Sequence, residues 1–327
     1  TAQAIKEILK STNRENQKNE IKKTFSVLSN PEFLAEGTAI NDLENPDRVL
    51  IGGEDDDAVK ALVNIYLNWV SSEKIICTNL WSSELSKLAA NAFLAQRISS
   101  INSISAFCEA TGADIQEVAK AIGTDQRIGD KFLNAGPGFG GSCFKKDILN
   151  LVYLSGYFGL PEVANYWNQV VILNTWQQDR IYKIVLEKLF GTVNGKNIAL
   201  LGFSFKANTN DTRESPAIKI ASDLLEEGAL LSIYDPKVSF ERIQEDFEKI
   251  SFNNQVIWKM AKSIPDALKD VDAVLILTAW EEFFGLDWKY LASLMRSPAW
   301  VFDTRSVVNR QETDNTGLNL WKLGEGS

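Results

Sequence analysis

Asn197-Ile198-Ala199-Leu200-Leu201-Gly202-Phe203-Ser204-Phe205-Lys206, leading on to Asp211-Thr212-Arg213-Glu214-Ser215-Pro216, is the stretch that decides the fold class. Asn197–Leu201 is a short, continuous apolar run, the signature of a strand buried on both faces. Ser215-Pro216 reads as the start of a helix, with Ser as N-cap and Pro at the first helical position. Strand, loop and capped helix make an α/β unit. Leu230–Tyr234, Ala273–Thr278 and Trp300–Phe302 read as further buried parallel strands. Ligands of such sheets bind beyond the carboxyl ends of the strands, where Lys206 and Arg213 can meet phosphate or carboxylate. The loop is not a Gly-x-Gly-x-x-Gly fingerprint, because only Gly202 is present.

Upstream, Trp81 to about Ala110 reads as one long helix. Leu85, Leu88, Ala92, Ala95, Ile101, Ile104 and Cys108 recur at helical steps. Gly112 is its stop, and Asp114 with Glu117 reads as a capping pair for the next helix. Such a length, well above the average for a globular domain, suits a spine between domains that also packs against a second subunit. A glycine-rich break covers 135–147, and helical periodicity then resumes to about Phe190. In residues 1–80, Ala4 to Leu9 look helical, and Phe25–Leu28 read as a strand ending in Ser29-Asn30-Pro31. Arg48–Ile51 read as a second strand, closed by Gly52-Gly53. Glu54 to Asp57 read as an acidic turn capping a helix through Tyr66 and Trp69. The closing Gly324-Glu325-Gly326-Ser327 reads as a frayed end.

Composition narrows the chemistry. With 327 residues, 45% of them hydrophobic, the chain can bury two or three cores. Its net charge of −9 argues against broad attraction to nucleic acid or anionic membrane. No run approaches the roughly 20 apolar residues of a membrane helix. Cys77, Cys108 and Cys143 are too few and too irregular for a disulfide framework, so a reducing, cytoplasmic setting is expected. There is no histidine. That excludes a Ser-His-Asp triad, a Cys-His pair and any His-containing metal site, and no metal is expected.

Four segments carry residues suited to chemistry. Gly138-Phe139-Gly140-Gly141-Ser142-Cys143-Phe144-Lys145-Lys146-Asp147 places a cysteine at a helix start, after glycines and beside two lysines. Such a thiol is expected to be depressed in pKa and partly thiolate, with Asp147 one turn on to orient or deprotonate a water. The competing reading makes Cys143 a small buried hydrophobe, as Cys77 and Cys108 are taken to be. Lys87 and Asn91 share one face of the spine helix, against the alternative of a solvated helix edge. Asn30-Pro31-Glu32-Phe33-Leu34-Ala35-Glu36-Gly37 is a loop with two carboxylates four residues apart, or an ordinary strand-to-helix turn. The loop from Phe203 to Ser215 is the fourth.

In this order the four segments resemble the UDP-glucose/GDP-mannose dehydrogenase family, and the UDP-glucose 6-dehydrogenases within it. The resemblance covers essentially the whole chain, and Gly-Phe-Gly-Gly-Ser-Cys-Phe followed by Lys-Asp is its most specific motif. It implies NAD-dependent two-step oxidation of UDP-glucose at C6, through a Cys143 thiohemiacetal and thioester. It implies that Lys87 stabilises the C6 oxyanion, Asn91 hydrogen-bonds beside it, and Asp147 assists water or proton movement. Glu32, Phe33 and Leu34 would line the sugar and the reacting end. Gly140, Phe205, Lys206 and Arg305 would contact the UDP-sugar, and Phe132 and Leu133 would pack over it. Arg127 would reach the substrate of a neighbouring subunit, which implies a dimer-based homo-oligomer, up to a hexamer. Glu36, Lys146 and Arg213 would face the cofactor.

The implied fold is α/β, in three parts. Residues 1–80 correspond to the last part of an N-terminal Rossmann-like NAD-binding unit. Residues 81–190 form a central helical domain with the spine helix and the cysteine loop. Residues 191–327 form a Rossmann-like UDP-binding domain. The family's Gly-x-Gly-x-x-Gly loop, acidic ribose ligand and catalytic threonine have no counterpart in this sequence. Lys145 stands where relatives often have Gln or Pro, a position expected to be permissive. Two other readings stay open: a non-catalytic UDP-sugar-binding chain, and a dehydrogenase for GDP-mannose or UDP-N-acetyl-mannosamine.

Overall fold

Residues 2–18, 25–253 and 256–326 are described by a computed structural model. They form two units, Thr1–Asn91 and Ala92–Ser327, taken here in turn.

In the first unit, α1 spans Ala2–Lys18, longer than the Ala4–Leu9 segment read from sequence. It is followed by α2 (Ala39–Glu44), β1 (Val49–Gly52), α3 (Asp56–Tyr66), β2 (Ile75–Thr78) and the first turns of α4 (Leu80–Thr111). The Asp55 side chain accepts the N–H groups of Asp57 and Ala58, so the acidic turn caps α3 as its composition suggests. Trp69 lies past the helix end, where its indole donates to the Leu43 carbonyl. β1 pairs in parallel with β2, Val49 opposite Ile75. Val49, Ile51 and Val70 are buried under Val59, Leu62, Val63 and Tyr66. Phe25–Leu28 is not a strand: only Ser29 meets β1, in an antiparallel bridge to Gly52. Phe25 and Ser26 are exposed with no ladder neighbour, while Leu28 packs against Gly53.

The second unit holds the rest of α4, then α5 (Ile115–Gly123), α6 (Phe144–Tyr157) and α7 (Pro161–Lys188). There follow β3 (Asn197–Leu201), α8 (Pro216–Glu226), β4 (Leu230–Tyr234), α9 (Phe240–Glu248) and β5 (Ile257–Met260). The chain closes with α10 (Ile264–Leu268), β6 (Ala273–Ile276), α11 (Trp288–Ala292), β7 (Ala299–Asp303), α12 (Arg310–Thr313) and β8 (Leu318–Lys322). The six strands form one parallel sheet in the order β5-β4-β3-β6-β7-β8. The chain thus starts centrally, runs outward to β5, and crosses back to β6. This is the doubly wound order, with its switch point between β3 and β6.

The apolar run of β3 is explained by two cores. Ile198 and Leu200 join the core that holds α8 and the end of α7, while Ala199 and Leu201 join the one formed with α10 and α11. Each fully buried Ile or Leu side chain among them contributes about 1.5–3 kcal/mol. Ile181 and Val185 of α7 share the first core, so the helical segment and the sheet belong to a single unit.

The spine helix and the closing segment also differ from the sequence reading. The apolar stripe of α4 does not run through Leu85 and Ile104, which are exposed. The buried line keeps Ala92, Ala95, Ile101 and Cys108 and also takes in Ser99, Asn102 and Ser105; Ser99 donates to the Val170 carbonyl, and the Asn102 side-chain oxygen accepts from Gly136 N–H. Nor does the closing segment fray. The Gly324 N–H binds Glu109, the Gly324 carbonyl receives Ile115 N–H, and Gly326 N–H binds the Ala113 carbonyl. These bonds seat it on the α4–α5 junction; Ser327 lies outside the described residues.

Candidate active site

In the first unit, Lys87 lies 3.2 Å from Glu32, whose same oxygen accepts the Leu34 N–H. The Phe33 ring carries the Arg48 guanidinium 3.8 Å from its centroid and the Lys87 ammonium at 5.5 Å. Asn91, one turn on, is buried. Lys87 and Asn91 are therefore not a solvated helix edge. The loop is anchored by Asn30, which donates to the Leu50 carbonyl and accepts from the Tyr66 hydroxyl. Leu34 and Glu36 are exposed beyond that anchor.

In the second unit, the glycine-rich segment and the Phe203–Ser215 loop come together. A Cβ on Gly140 would lie 2.5 Å from the Glu214 carbonyl oxygen and 2.8 Å from Phe205 Cβ. Only glycine allows that approach. The N–H of Gly141, at φ +84°, donates to the Arg213 carbonyl, and Lys145 pairs with Glu214 at 2.8 Å. Cys143 is exposed at the N-cap of α6 and makes no capping bond of its own; its sulfur lies 3.6 Å from Ser142 Oγ. Asp147 is buried in the first turn of α6, its N–H bonded to the Cys143 carbonyl, with Lys146 exposed beside it. Cys143 is thus not a core hydrophobe. Cys108 is, and burial pushes its thiol up from the ordinary value. Cys77 is exposed, contrary to expectation.

Strand ends complete this half. Arg305 follows β7, donates from Nε to the Leu277 carbonyl, and lies against Gly136. Loss of solvent pulls its guanidinium down to about 10, against the opposing pull of Asp303, so it stays charged at neutral pH. Phe205 lies under Lys206, whose ammonium is 5.6 Å from the ring centroid. Arg213 is held by Asp211 and borders a groove of ≈ 800 Å³ shared with Ser142, Lys145, Gln178 and Arg242. Leu133 is buried and Phe132 exposed at φ +63°. Arg127 is not drawn to the glycine loop; it forks onto Asp125 and is otherwise solvated.

Several supporting residues were not singled out from the sequence. Asp235, after β4, accepts the N–H groups of Phe203 and Ser204 and the Trp280 indole on one oxygen, and Lys237 and Val238 N–H on the other. Arg97 ties the carbonyls of Ile128, Gly129 and Lys131, and so shapes the loop before Phe132. Asn102, Asn174 and Gln177 bond the backbone of Gly136 and Phe139. The available signal was polar side chains on apolar helix faces: Asn174 and Gln177 sit in line with Val170, Ile181 and Val185.

A six-stranded doubly wound sheet has charged loops at its switch point, where such sheets bind ligands, and a helix of the same unit displays a cysteine after a glycine loop. Family models match along the chain: the NAD binding domain at 1–70, the central domain at 81–176 and the UDP binding domain at 199–310 of the UDP-glucose/GDP-mannose dehydrogenase family. The chain is 51% identical to UDP-glucose 6-dehydrogenase 1 of Arabidopsis thaliana, over 99% of its own length and 70% of that protein's. It is also 51% identical to the UDP-glucose 6-dehydrogenase of Drosophila melanogaster, covering 99% and 69%. The solved UDP-glucose dehydrogenase of Pyrobaculum islandicum superposes with a TM-score of 0.78 at 32% identity, over 93% of this chain and 64% of that one. The chain belongs to the UDP-glucose/GDP-mannose dehydrogenase family, whose cofactor is NAD.

Gly52 ends β1 and Gly53 follows it, as glycines do in phosphate loops, yet a Cβ on Gly52 would stand 2.4 Å from Ser83 Cβ, and one on Gly53 2.5 Å from Leu28 Cδ2. Both positions are filled by the chain's own packing, so neither glycine opens onto a pyrophosphate. Of the residues expected to face the cofactor, Glu36 is exposed in the first unit, and Lys146 and Arg213 are exposed in the second, paired with Asp147 and Asp211.

Proposed function

We propose that this chain oxidises UDP-glucose at C6 to UDP-glucuronate, with Cys143 as nucleophile. The observation that carries the reading is the exposed Cys143 at the start of α6, on a glycine loop packed against the Phe205–Glu214 loop at the sheet's switch point. The 51% identity to UDP-glucose 6-dehydrogenases over nearly the whole chain favours UDP-glucose over GDP-mannose or UDP-N-acetyl-mannosamine.

Arg305, Lys206 and Phe205 hold the nucleotide sugar, with Gly140 giving its backbone close approach and Leu133 and Phe132 covering the sugar. NAD, when bound against Glu36, Lys146 and Arg213, supplies the hydride acceptor for both oxidations. The first turns the C6 alcohol into an aldehyde. The Cys143 sulfur then adds to C6, and Lys87 meets the resulting oxyanion with a fixed positive charge, where such electrostatic help is largest. Asn91 donates beside it. The second oxidation leaves C6 as a thioester on Cys143. Water, oriented by Asp147, adds to C6, the carbon–sulfur bond breaks, and the carboxylate departs while Cys143 is regenerated. Glu32, Phe33 and Leu34 line the sugar end.

A dimer-based homo-oligomer belongs to the same reading. Phe93, Trp167 and Tyr166 stack edge to face, and Phe93 and Tyr166 are exposed, an apolar patch of the kind subunits cover. Arg127, free of the glycine loop of its own chain, then serves a neighbouring subunit.

The test is NADH formation with UDP-glucose, GDP-mannose and UDP-N-acetyl-mannosamine, with product analysis. Two NADH per UDP-glucuronate supports the proposal. Selective oxidation of another sugar nucleotide, or UDP-glucose binding without NADH, overturns it.

A further inference from the structure

Gly138 and Gly141 take φ +126° and +84°, leaving Phe139-Gly140 as a short segment between two swivels just before Cys143. Something has to fix that segment if the thiol is to have one position. Backbone groups in so buried a stretch need partners. Here they come from a carboxamide instead of a strand. Asn174, 7% exposed in the middle of α7, accepts the Phe139 N–H at 2.8 Å and donates to the Phe139 carbonyl at 3.1 Å. One side chain thus satisfies both backbone groups of one residue, as a neighbouring strand would. Its oxygen also lies 2.8 Å from where a Gly138 Cβ would be, so the clamp and the glycine depend on each other.

The clamp reaches α6 through the Phe139 ring. That ring is 5% exposed, packs edge-on to Phe144 with centroids 5.9 Å apart, and joins Ala92, Ala95, Ile148 and Leu151 in one core. Phe144 is the first residue of α6 and directly follows Cys143. Beyond the clamp, Gly140 and Gly141 are stopped by Phe205 and Glu214. Holding Phe139 therefore fixes both ends of the turn that presents Cys143.

We propose that Asn174 is a positioning residue for Cys143, acting through the Phe139 backbone to hold the nucleophile at the α6 N-terminus. The inference rests on Cys143 being the nucleophile, but its main readout is thiol reactivity and not turnover. In a Cys77→Ser background, the rate of Cys143 alkylation by iodoacetamide is followed by peptide mass spectrometry, with Cys108 as internal reporter of general loosening. Asn174→Ala is expected to slow Cys143 alkylation at pH 7 by roughly fivefold or more, since the turn no longer holds the sulfur at the α6 N-terminus. Cys108 should stay protected.

Asn174→Ser, which keeps a hydroxyl in the pocket but not the paired bonds to Phe139, should slow Cys143 to a similar extent as Asn174→Ala. It also serves as the readable variant if Asn174→Ala does not fold. Ser99→Ala removes a buried bond of similar kind that does not touch the loop, and should leave Cys143 at the wild-type rate. In the NADH assay, Asn174→Ala should lower kcat about 10–100-fold, with the KM for UDP-glucose within about threefold, as expected for a misplaced reacting group. A Cys143 rate that is unchanged, accelerated, or slowed only together with exposure of Cys108 overturns the inference. Wild-type protein that makes no NADH refutes the proposed function and leaves the alkylation comparison to decide Asn174.

Discussion

Replacing Asp235 by Asn changes one atom and tests how the substrate loop is held. Asp235 is 3% exposed. One carboxylate oxygen takes Phe203 N–H at 2.7 Å, Ser204 N–H at 3.0 Å and the Trp280 indole N–H at 3.1 Å. The other takes Lys237 and Val238 N–H at 2.9 and 3.0 Å. Both oxygens face only N–H donors, apart from the Ser204 hydroxyl near the first. A carboxamide must therefore aim its own NH2 at donors whichever way it flips. The milder flip sacrifices Lys237 and Val238, two hydrogen bonds to a charged acceptor at about 1.5–3 kcal/mol each. The expected loss is about 3–6 kcal/mol, a large part of the roughly 5–15 kcal/mol that a folded domain has. Urea unfolding followed by tryptophan fluorescence measures it. UDP-glucose affinity should fall as well, because Phe203 and Ser204 carry the Phe205–Lys206 loop. An Asp235→Asn protein within about 1 kcal/mol of wild type would refute this account of the loop.

Gly140→Ala should abolish UDP-glucose binding and lower Tm, read by thermal melts with and without the ligand, because its Cβ would overlap the Glu214 carbonyl and Phe205. Arg305 gives a pH dependence. Burial lowers its folded pKa to about 10, so the cation is present below that pH and lost above it; the Kd for UDP-glucose should rise as pH passes about 10. Titration calorimetry with Arg305→Ala, whose binding is weak throughout and lacks this inflection, isolates the contribution. Thiol labelling of native protein should modify Cys143 and Cys77 at neutral pH and spare Cys108, which is buried and raised. Urea should expose it.

The sheet was legible where strands are central. β3, β4, β6 and β7 are buried on both faces and announce themselves as apolar runs. β5 and β8 lie at the edges, half exposed, and alternate with polar residues such as Lys259, Asn319 and Lys322. They carry no such signal. The same logic misled at Phe25–Leu28, which is apolar enough for a strand but meets β1 only at Ser29. The glycine loop and Lys87 stood out because their residue types are unusual for their settings, whereas Arg305 was singled out only through the family resemblance. Asp235, Asn174 and Arg97 were not, because they act by bonding backbone groups brought near only by the fold. The spine stripe went astray for a related reason: Ser99, Asn102 and Ser105 look like surface residues until their buried partners are known.

The central claim is that Cys143 forms the covalent intermediate, and it is tested most directly by mass. The protein is mixed with NAD and UDP-glucose, acid-quenched within one turnover and digested, and the Cys143 peptide is weighed. The account predicts a UDP-glucuronyl adduct on Cys143 that decays as UDP-glucuronate accumulates, with no adduct and no acid product from Cys143→Ser. An unmodified Cys143 peptide throughout turnover, together with a Cys143→Ser variant that forms UDP-glucuronate at the wild-type rate, would contradict it.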